Sequence, residues 1–370
     1  MKKLLTALGG LATAALIAVS PAGAQGTVKV GVIMAYSGQF ADTAAQIDNG
    51  IKLYMKQHGD TVAGKKIEII RKDTGGPNPD VAKRLAQELI VRDGVDILAG
   101  FTLTPEALAA ADVSAEAKKF MVIMNAATSI ITTKSEFTAR TSMTLPMVGD
   151  TLGKWAVKNG IKKAYTMVAD FAPGHDAEQS FHTAFKAAGG EIVGSVRMPL
   201  ANPDFSAFVQ RAKDLNPESI FIFVPGGAQP AAIGKAFAER NVDPAKIKIL
   251  STGEPVDEQA LKSLGDIAVG RISAWHYDYN LNNPVNKAFV AAFNAEFKRN
   301  PDFFAVGGYD GMHLIYEAQE EDRRQSGRSR AHCGGQGHEV DQPARPDDDR
   351  PRNPRCDRDD LHPSRPEGRQ

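Results

Sequence analysis

Short apolar runs, each closed by glycine, proline or a small polar residue and followed by a helical stripe, recur along most of this chain. Such alternation restricts a chain to layered α/β folds, because buried parallel strands read as continuous apolar runs and the helices between them cover the sheet. Val28 to Ala35 is the first run, and Ile47, Ile51, Tyr54 and Met55 then share one helical face. Ile67–Ile70 follows, then the Asp73–Pro77 turn and a second amphipathic stretch carrying Val81, Leu85, Leu89 and Ile90. Strands are expected at Val95–Ala99 and Met121–Met124, with a helix starting near Pro105 between them.

Past Pro146 the alternation restarts. Strands are expected at Ala164–Val168, Ile192–Met198, Ile220–Val224 and Ile247–Leu250. Helices are expected over Ala177–Ala188, Phe205–Asp214 and Ala231–Glu239, with glycine or proline at nearly every boundary. Two successive sets of βα units imply two doubly wound parallel sheets. Ile272 to Tyr279 reads as strand-like, and Asn286–Arg299 as a long helix. The segments around Thr141–Pro146 and Trp275–Tyr279 are read as crossings, which makes residues 27–143 with 277–317 one lobe, 146–274 the other, and the junction a hinge.

The N-terminus fixes the expected compartment. Lys2 and Lys3 precede an apolar stretch from Leu4 to Val19, and Ala22-Gly23-Ala24 places small residues ahead of Gln25. This is the pattern of a secretory signal peptide over residues 1–24. Basic and acidic side chains number 44 each, so nothing steers the chain toward nucleic acid. The only cysteines are Cys333 and Cys356, and the body therefore holds no disulfide framework or thiolate metal site.

The other end changes character at Gln319. Lysine stops at Lys298, 11 arginines fall in residues 319–370, and no aromatic residue occurs there. Such a segment buries too little apolar surface to offset its ordering entropy, so disorder is expected. Synonymous codons for residues 336–357, displaced by one base, spell a lysine-bearing segment of ordinary globular composition. The tail is therefore read as a frameshift near Ala318.

In open α/β sheets, ligands sit beyond the carboxyl ends of the strands. Those positions carry Tyr36, Ser37 and Gly38, then Gly100–Thr104 with Phe101 and Thr104, then Asn125, Ala126, Ala127 and Thr128. In the second set they carry Asp170–Gly174 with Phe171, then Pro225-Gly226-Gly227-Ala228, then Ser251–Glu254. Thr104 and Thr128, at helix N-termini, suit a carboxylate, although each also suits an ordinary cap. Glu254 suits an ammonium, or is simply a surface acid. Tyr36, Phe101, Phe171 and Trp275 are candidate apolar walls, or core residues; Trp275 suits hinge packing equally well. No nucleophile elbow, zinc-protease motif, phosphate-binding loop or dinucleotide fingerprint is present, and the adjacent His175-Asp176 pair does not make a metal site. A non-enzymatic protein without metal or cofactor is expected.

Together the signal peptide, the segment from Val28 to Gln57, the Lys72–Gly76 turn, DILAGFTLT at 96–104, MNAATS at 124–129, Asn202–Pro217 and FVPGGAQP at 223–230 resemble a known family. It is the branched-chain amino-acid type of periplasmic binding protein, the substrate-binding subunit of ATP-binding-cassette importers. The resemblance runs from about Thr27 to Glu317. It implies a type I binding fold, two Rossmann-like lobes that close over a small carboxylate or amino-acid-like ligand, and delivery by a monomer to a membrane permease and ATPase. It further implies a carboxylate grip at Thr104, Ala126 and Thr128, and an ammonium partner at Glu254. Departures fall at Ala228, where leucine-type binders carry tyrosine, at Pro173, where an aromatic is expected, and in the absent lobe-one disulfide. An aromatic acid, an amide or urea is thus an alternative ligand, and a sensing module that presents its closed form to a receptor is an alternative role.

Overall fold

A computed structural model describes residues 26–201 and 203–334; the expected signal peptide and residues 335–370 lie outside the described residues. The first sheet is built from β1 (Thr27–Met34), β2 (Thr61–Val62), β3 (Lys65–Asp73), β4 (Ile97–Gly100), β5 (Phe120–Ile123) and β6 (Thr138–Arg140) in the order β2-β3-β1-β4-β5-β6. All its pairings are parallel except the short β2–β3 hairpin. The second sheet contains β7 (Lys163–Ala169), β8 (Glu191–Met198), β9 (Ser219–Phe223), β10 (Lys248–Ser251) and β11 (Ile272–Ser273), in the order β11-β10-β9-β7-β8, parallel throughout.

Both sheets are covered on two faces, which explains the continuous apolar runs. Along β1, Val28, Val30, Val32 and Met34 face one core while Ile33 enters the other. Helices α2 (Pro79–Val91) and α3 (Thr104–Glu116) close the second of these cores through Leu85, Leu89, Ala107 and Ala111. α1 (Ala41–His58) closes the first through Ile47, Ile51 and Tyr54. In the second sheet, α4 (Leu145–Lys158) and α5 (Ala172–Ala187) pack on one face. α6 (Phe205–Asp214) and α7 (Ala228–Glu239) pack on the other.

After α8 (Glu258–Leu264) and β11 the chain runs through α9 (Pro284–Phe297) and returns to the first sheet as α10 (Phe303–Gly334). α10 lies on α1 and β5 at near-backbone contact: a Cβ on Gly50 would stand 2.0 Å from the Ala305 carbonyl oxygen, and Cβ atoms on Gly307 and Gly308 equally close to those of Met124 and Ile47. Thr141 donates from Oγ1 to the Gly307 carbonyl at 3.1 Å, tying the first crossing to this helix. Trp275 packs between the cores of both sheets, its ring 4.8 Å from that of Phe303. It packs at the second crossing and does not line the cavity between the sheets described below.

Element edges differ from the sequence reading in instructive places. Only Ile272–Ser273 of the strand-like run to Tyr279 joins a sheet. α4 begins at Leu145 and takes Pro146 at its second position, where a missing N–H costs nothing, so the proline starts a helix instead of only ending a crossing. α5 starts at Ala172 for the same reason at Pro173. α10 runs on through residues 319–334, where the sequence composition suggests disorder; there Glu320 accepts from the Ala63 N–H at 3.1 Å.

The glycine contacts under α10 generate a prediction. Gly50→Ala pushes a methyl group into the Ala305 carbonyl, and urea denaturation should show a loss of about 1–3 kcal/mol. A variant as stable as the parent would mean that the helices do not meet at this distance.

Candidate functional site

Each sheet turns its strand order next to its first strand, between β1 and β4 and between β7 and β9. Crevices at such switch points collect ligands, and the two crevices here face one another. Between them lies a cavity of about 30 Å³, partly open to solvent and well below the volume of an open ligand pocket. Its lining from the first-sheet side is Phe40, Thr43, Thr102, Leu103, Thr104, Asn125, Ala126, Ala127 and Phe304. The other side supplies Leu145, Phe171, Pro173, Phe223, Pro225, Gly226 and Glu254.

Past β4 the backbone turns through Gly100 (φ 102°) and Phe101 (φ 67°). A left-handed phenylalanine is uncommon, and here full burial of the ring in the α2–α3 core accompanies it. Phe101 therefore does not line the cavity, while Thr102, Leu103 and Thr104 do. Thr102 Oγ1 accepts from the Ala35 N–H at 3.0 Å, and its carbonyl accepts from Asn125 Nδ2 at 2.7 Å, locking three strand-end loops together. Thr104 and Thr128 hydroxyls meet at 2.8 Å, both buried, at the N-terminus of α3. A helix N-terminus carries partial positive charge, so this corner is suited to an anion. Glu106 stands just inside it, accepting from Thr74 Oγ1 and from the Leu103 N–H at 3.1 Å, and burial pushes its carboxyl up to about 7.

Across the gap Phe171 and Phe223 stack with centroids 5.9 Å apart. Glu254 accepts from Thr252 Oγ1 at 2.5 Å, and burial raises its carboxyl to about 8. It is the only ionisable side chain in the lining, and no Lys or Arg faces it there. The cleft is shut in this structure. A Cβ on Gly227 would lie 2.2 Å from the Gln39 carbonyl, and one on Gly226 within 3.0 Å of Thr43 Oγ1 and Phe304.

Of the residues expected from sequence, Thr104, Asn125, Ala126, Phe171, Gly226 and Glu254 share this cavity, and Thr128 reaches it through Thr104. Tyr36 and Ser37 stand apart. The Tyr36 hydroxyl donates to Asp48 at 3.4 Å, beside the Arg71–Asp48 ion pair, and Ser37 uses its N–H on Asp73 at 3.2 Å in an exposed turn. Sequence reasoning missed Phe40 and Thr43, which lie past the first strand-end turn, and Phe304, which comes from the returning α10. Thr43 is notable chemically. Its hydroxyl is buried and has no partner among the described residues. His175 bonds Asp170 at 2.8 Å, and among the described residues no His, Cys, Asp and Glu group is arranged to hold a metal ion. Nor is any described helix long and apolar enough to cross a membrane.

Comparison with known proteins agrees with this architecture. The periplasmic binding protein family profile matches residues 27–329. The Leu/Ile/Val-binding protein homolog 6 of Brucella melitensis is 39% identical over 324 residues, covering 86% of this chain and 82% of that protein. A solute-binding protein of an ABC transporter from Rhodopseudomonas palustris BisB5, solved in complex with 3,4-dihydroxybenzoic acid, is 51% identical with a TM-score of 0.78, covering 80% of this chain and 81% of its own. Another from R. palustris, solved with 4-hydroxybenzoate, is 40% identical with a TM-score of 0.76, covering 80% of both chains. On these matches and on its paired α/β lobes, the chain belongs to the periplasmic binding protein family and is a solute-binding protein of the ABC-transporter type.

Proposed function

We propose that this chain, exported by cleavage of residues 1–24, captures an aromatic carboxylate of the benzoate kind in the periplasm and delivers it to an ABC permease and ATPase. It does so as a monomer, without catalysis. The observation that carries the ligand class is the lining itself. Phe40, Phe171, Phe223 and Phe304 supply ring walls, the Thr104–Thr128 pair supplies an anion corner, and burial favours the protonated form of the one acid present. An α-ammonium would have to ionise Glu254 in a buried setting, against the desolvation that raises its pKa. A neutral ring hydroxyl can bond both the protonated Glu254 and the unpartnered Thr43 Oγ1 without that cost. The aromatic acids bound by the two Rhodopseudomonas relatives point the same way. Capture proceeds by population shift: a ligand touching both sides favours the shut form because only that form supplies both sets of contacts.

Calorimetry should show 4-hydroxybenzoate and 3,4-dihydroxybenzoate binding more tightly than L-leucine. Thr128→Val should weaken the benzoates about ten-fold or more, the worth of one charge-assisted hydrogen bond. Tighter binding of leucine would reverse the ligand assignment, and unchanged affinity in both Thr128→Val and Glu254→Ala would discard the site.

The same acid sets a pH dependence. Glu254 moves from an ordinary 4.5 to about 8 on folding, so between those values the folded chain holds a proton that the unfolded chain has released. Stability of the ligand-free protein must then fall as pH rises through this window. Asp257 and Asp302, raised by burial to about 7 and about 8, act in the same direction. Thermal melts from pH 5 to 8 should show this decline, made shallower by Glu254→Gln; an identical slope in that variant would mean that Glu254 is ionised in the fold.

A further inference from the structure

One peptide group, at an exposed edge where the two sheets meet, is held from both sides. The Thr128 carbonyl accepts from Arg140 Nη2 at 2.5 Å, and the N–H of the same peptide, on Ser129, donates to Asp176 Oδ2 at 2.8 Å. Ser129 Oγ donates to that same oxygen at 3.0 Å. Arg140 ends β6 in the first sheet, whereas Asp176 lies in α5 on the second. The clamp therefore spans the cleft, with a cation on the carbonyl and an anion on the amide, both ends charge-assisted.

The surroundings support a working contact. Arg140 is half-buried, its guanidinium pushed down to about 10 by that burial and partly restored by the charge of Asp176. Its Nε has no partner among the described residues, so Asp176 is the acid that compensates it. The neighbouring His175 is turned to Asp170 and does not compete. Thr128, whose carbonyl is gripped, bonds Thr104 through its hydroxyl. Because Asp176 and Ser129 belong to different sheets, parting the sheets would leave the Ser129 N–H to water, while the Arg140 bond, internal to the first, would persist.

We propose that Asp176 is a positioning residue: arriving with the second lobe, it fixes the Thr128–Ser129 peptide and so sets the Thr128 hydroxyl for the ligand carboxylate only when the cleft is shut. This rests on the assignment of Thr128 to the carboxylate grip. The contact belongs to the shut form alone, so it slows release and leaves encounter unchanged.

Stopped-flow binding of 3,4-dihydroxybenzoate to the full-length protein tests it. Asp176→Ala should raise the dissociation rate about ten-fold, with the association rate unchanged. Ser129→Ala, which keeps the amide donor, should have a smaller effect, and Asp176→Asn an intermediate one. Release at the parent rate in Asp176→Ala, while Thr128→Val weakens binding, overturns the clamp and leaves the ligand site standing. Faster release in Asp176→Ala with no effect of Thr128→Val overturns the link to Thr128. Should no benzoate bind the parent, the ligand assignment falls and the clamp is read in ligand-free protein from exchange of the Ser129 amide. Exchange faster by about three-fold or more in Asp176→Ala supports the contact, and equal exchange overturns it.

Discussion

The approach of α10 to α1 and β5 is the contact on which the remaining architecture depends. Gly50, Gly307 and Gly308 let carbonyl groups of neighbouring elements come to the distance at which a Cβ would collide. That closeness seats the last described helix on the first sheet after the chain has completed the second. Two consequences follow. The connection between lobes becomes a pair of crossings, around Thr141 and Trp275, and Phe304 is carried to the floor of a cavity whose other walls were laid down far earlier in the chain. Hydrophobic burial drives the return, but small residues decide where it can dock.

A cluster of buried acids accompanies the seam. Asp302 accepts from the Phe304 and Ala305 N–H groups at the start of α10, and Asp257 from the Ala260 N–H at the start of α8. Each caps a helix, where its charge would be favoured, yet burial pushes both carboxyls up, helped by the charge of Glu254 on Asp257 and of Asp257 on Asp302. Arg299 pairs with Asp42 at 2.8 Å nearby. The seam thus carries titratable groups on both sides, whereas the cavity carries one. The two are coupled, because Glu254 in the cavity lining is among the charges that raise Asp257 at the seam.

Much of this was legible along the chain because the relevant physics is local. Apolar runs of strand length and stripes of helical period report burial on two faces, and the strand-end positions follow from the topology of any parallel sheet. That logic reached Thr104, Asn125, Ala126, Thr128, Phe171, Gly226 and Glu254. It could not tell Phe101 from a wall residue, because a positive φ at that position accompanies a ring turned inward. Nor could it see that Tyr36 joins the Arg71–Asp48 pair.

The sequence by itself determined the class of fold, the two sets of βα units and the loops that could meet a ligand, since each is set by neighbours a few residues apart. Only the tertiary structure decided which of those loops converge. It placed Thr43 and Phe304 in the cavity, packed Trp275 at the second crossing and brought Asp176 to the Ser129 amide. Groups separated by tens to hundreds of residues meet only where packed helices and shared sheets fix their distance, and no periodicity along the chain encodes that distance.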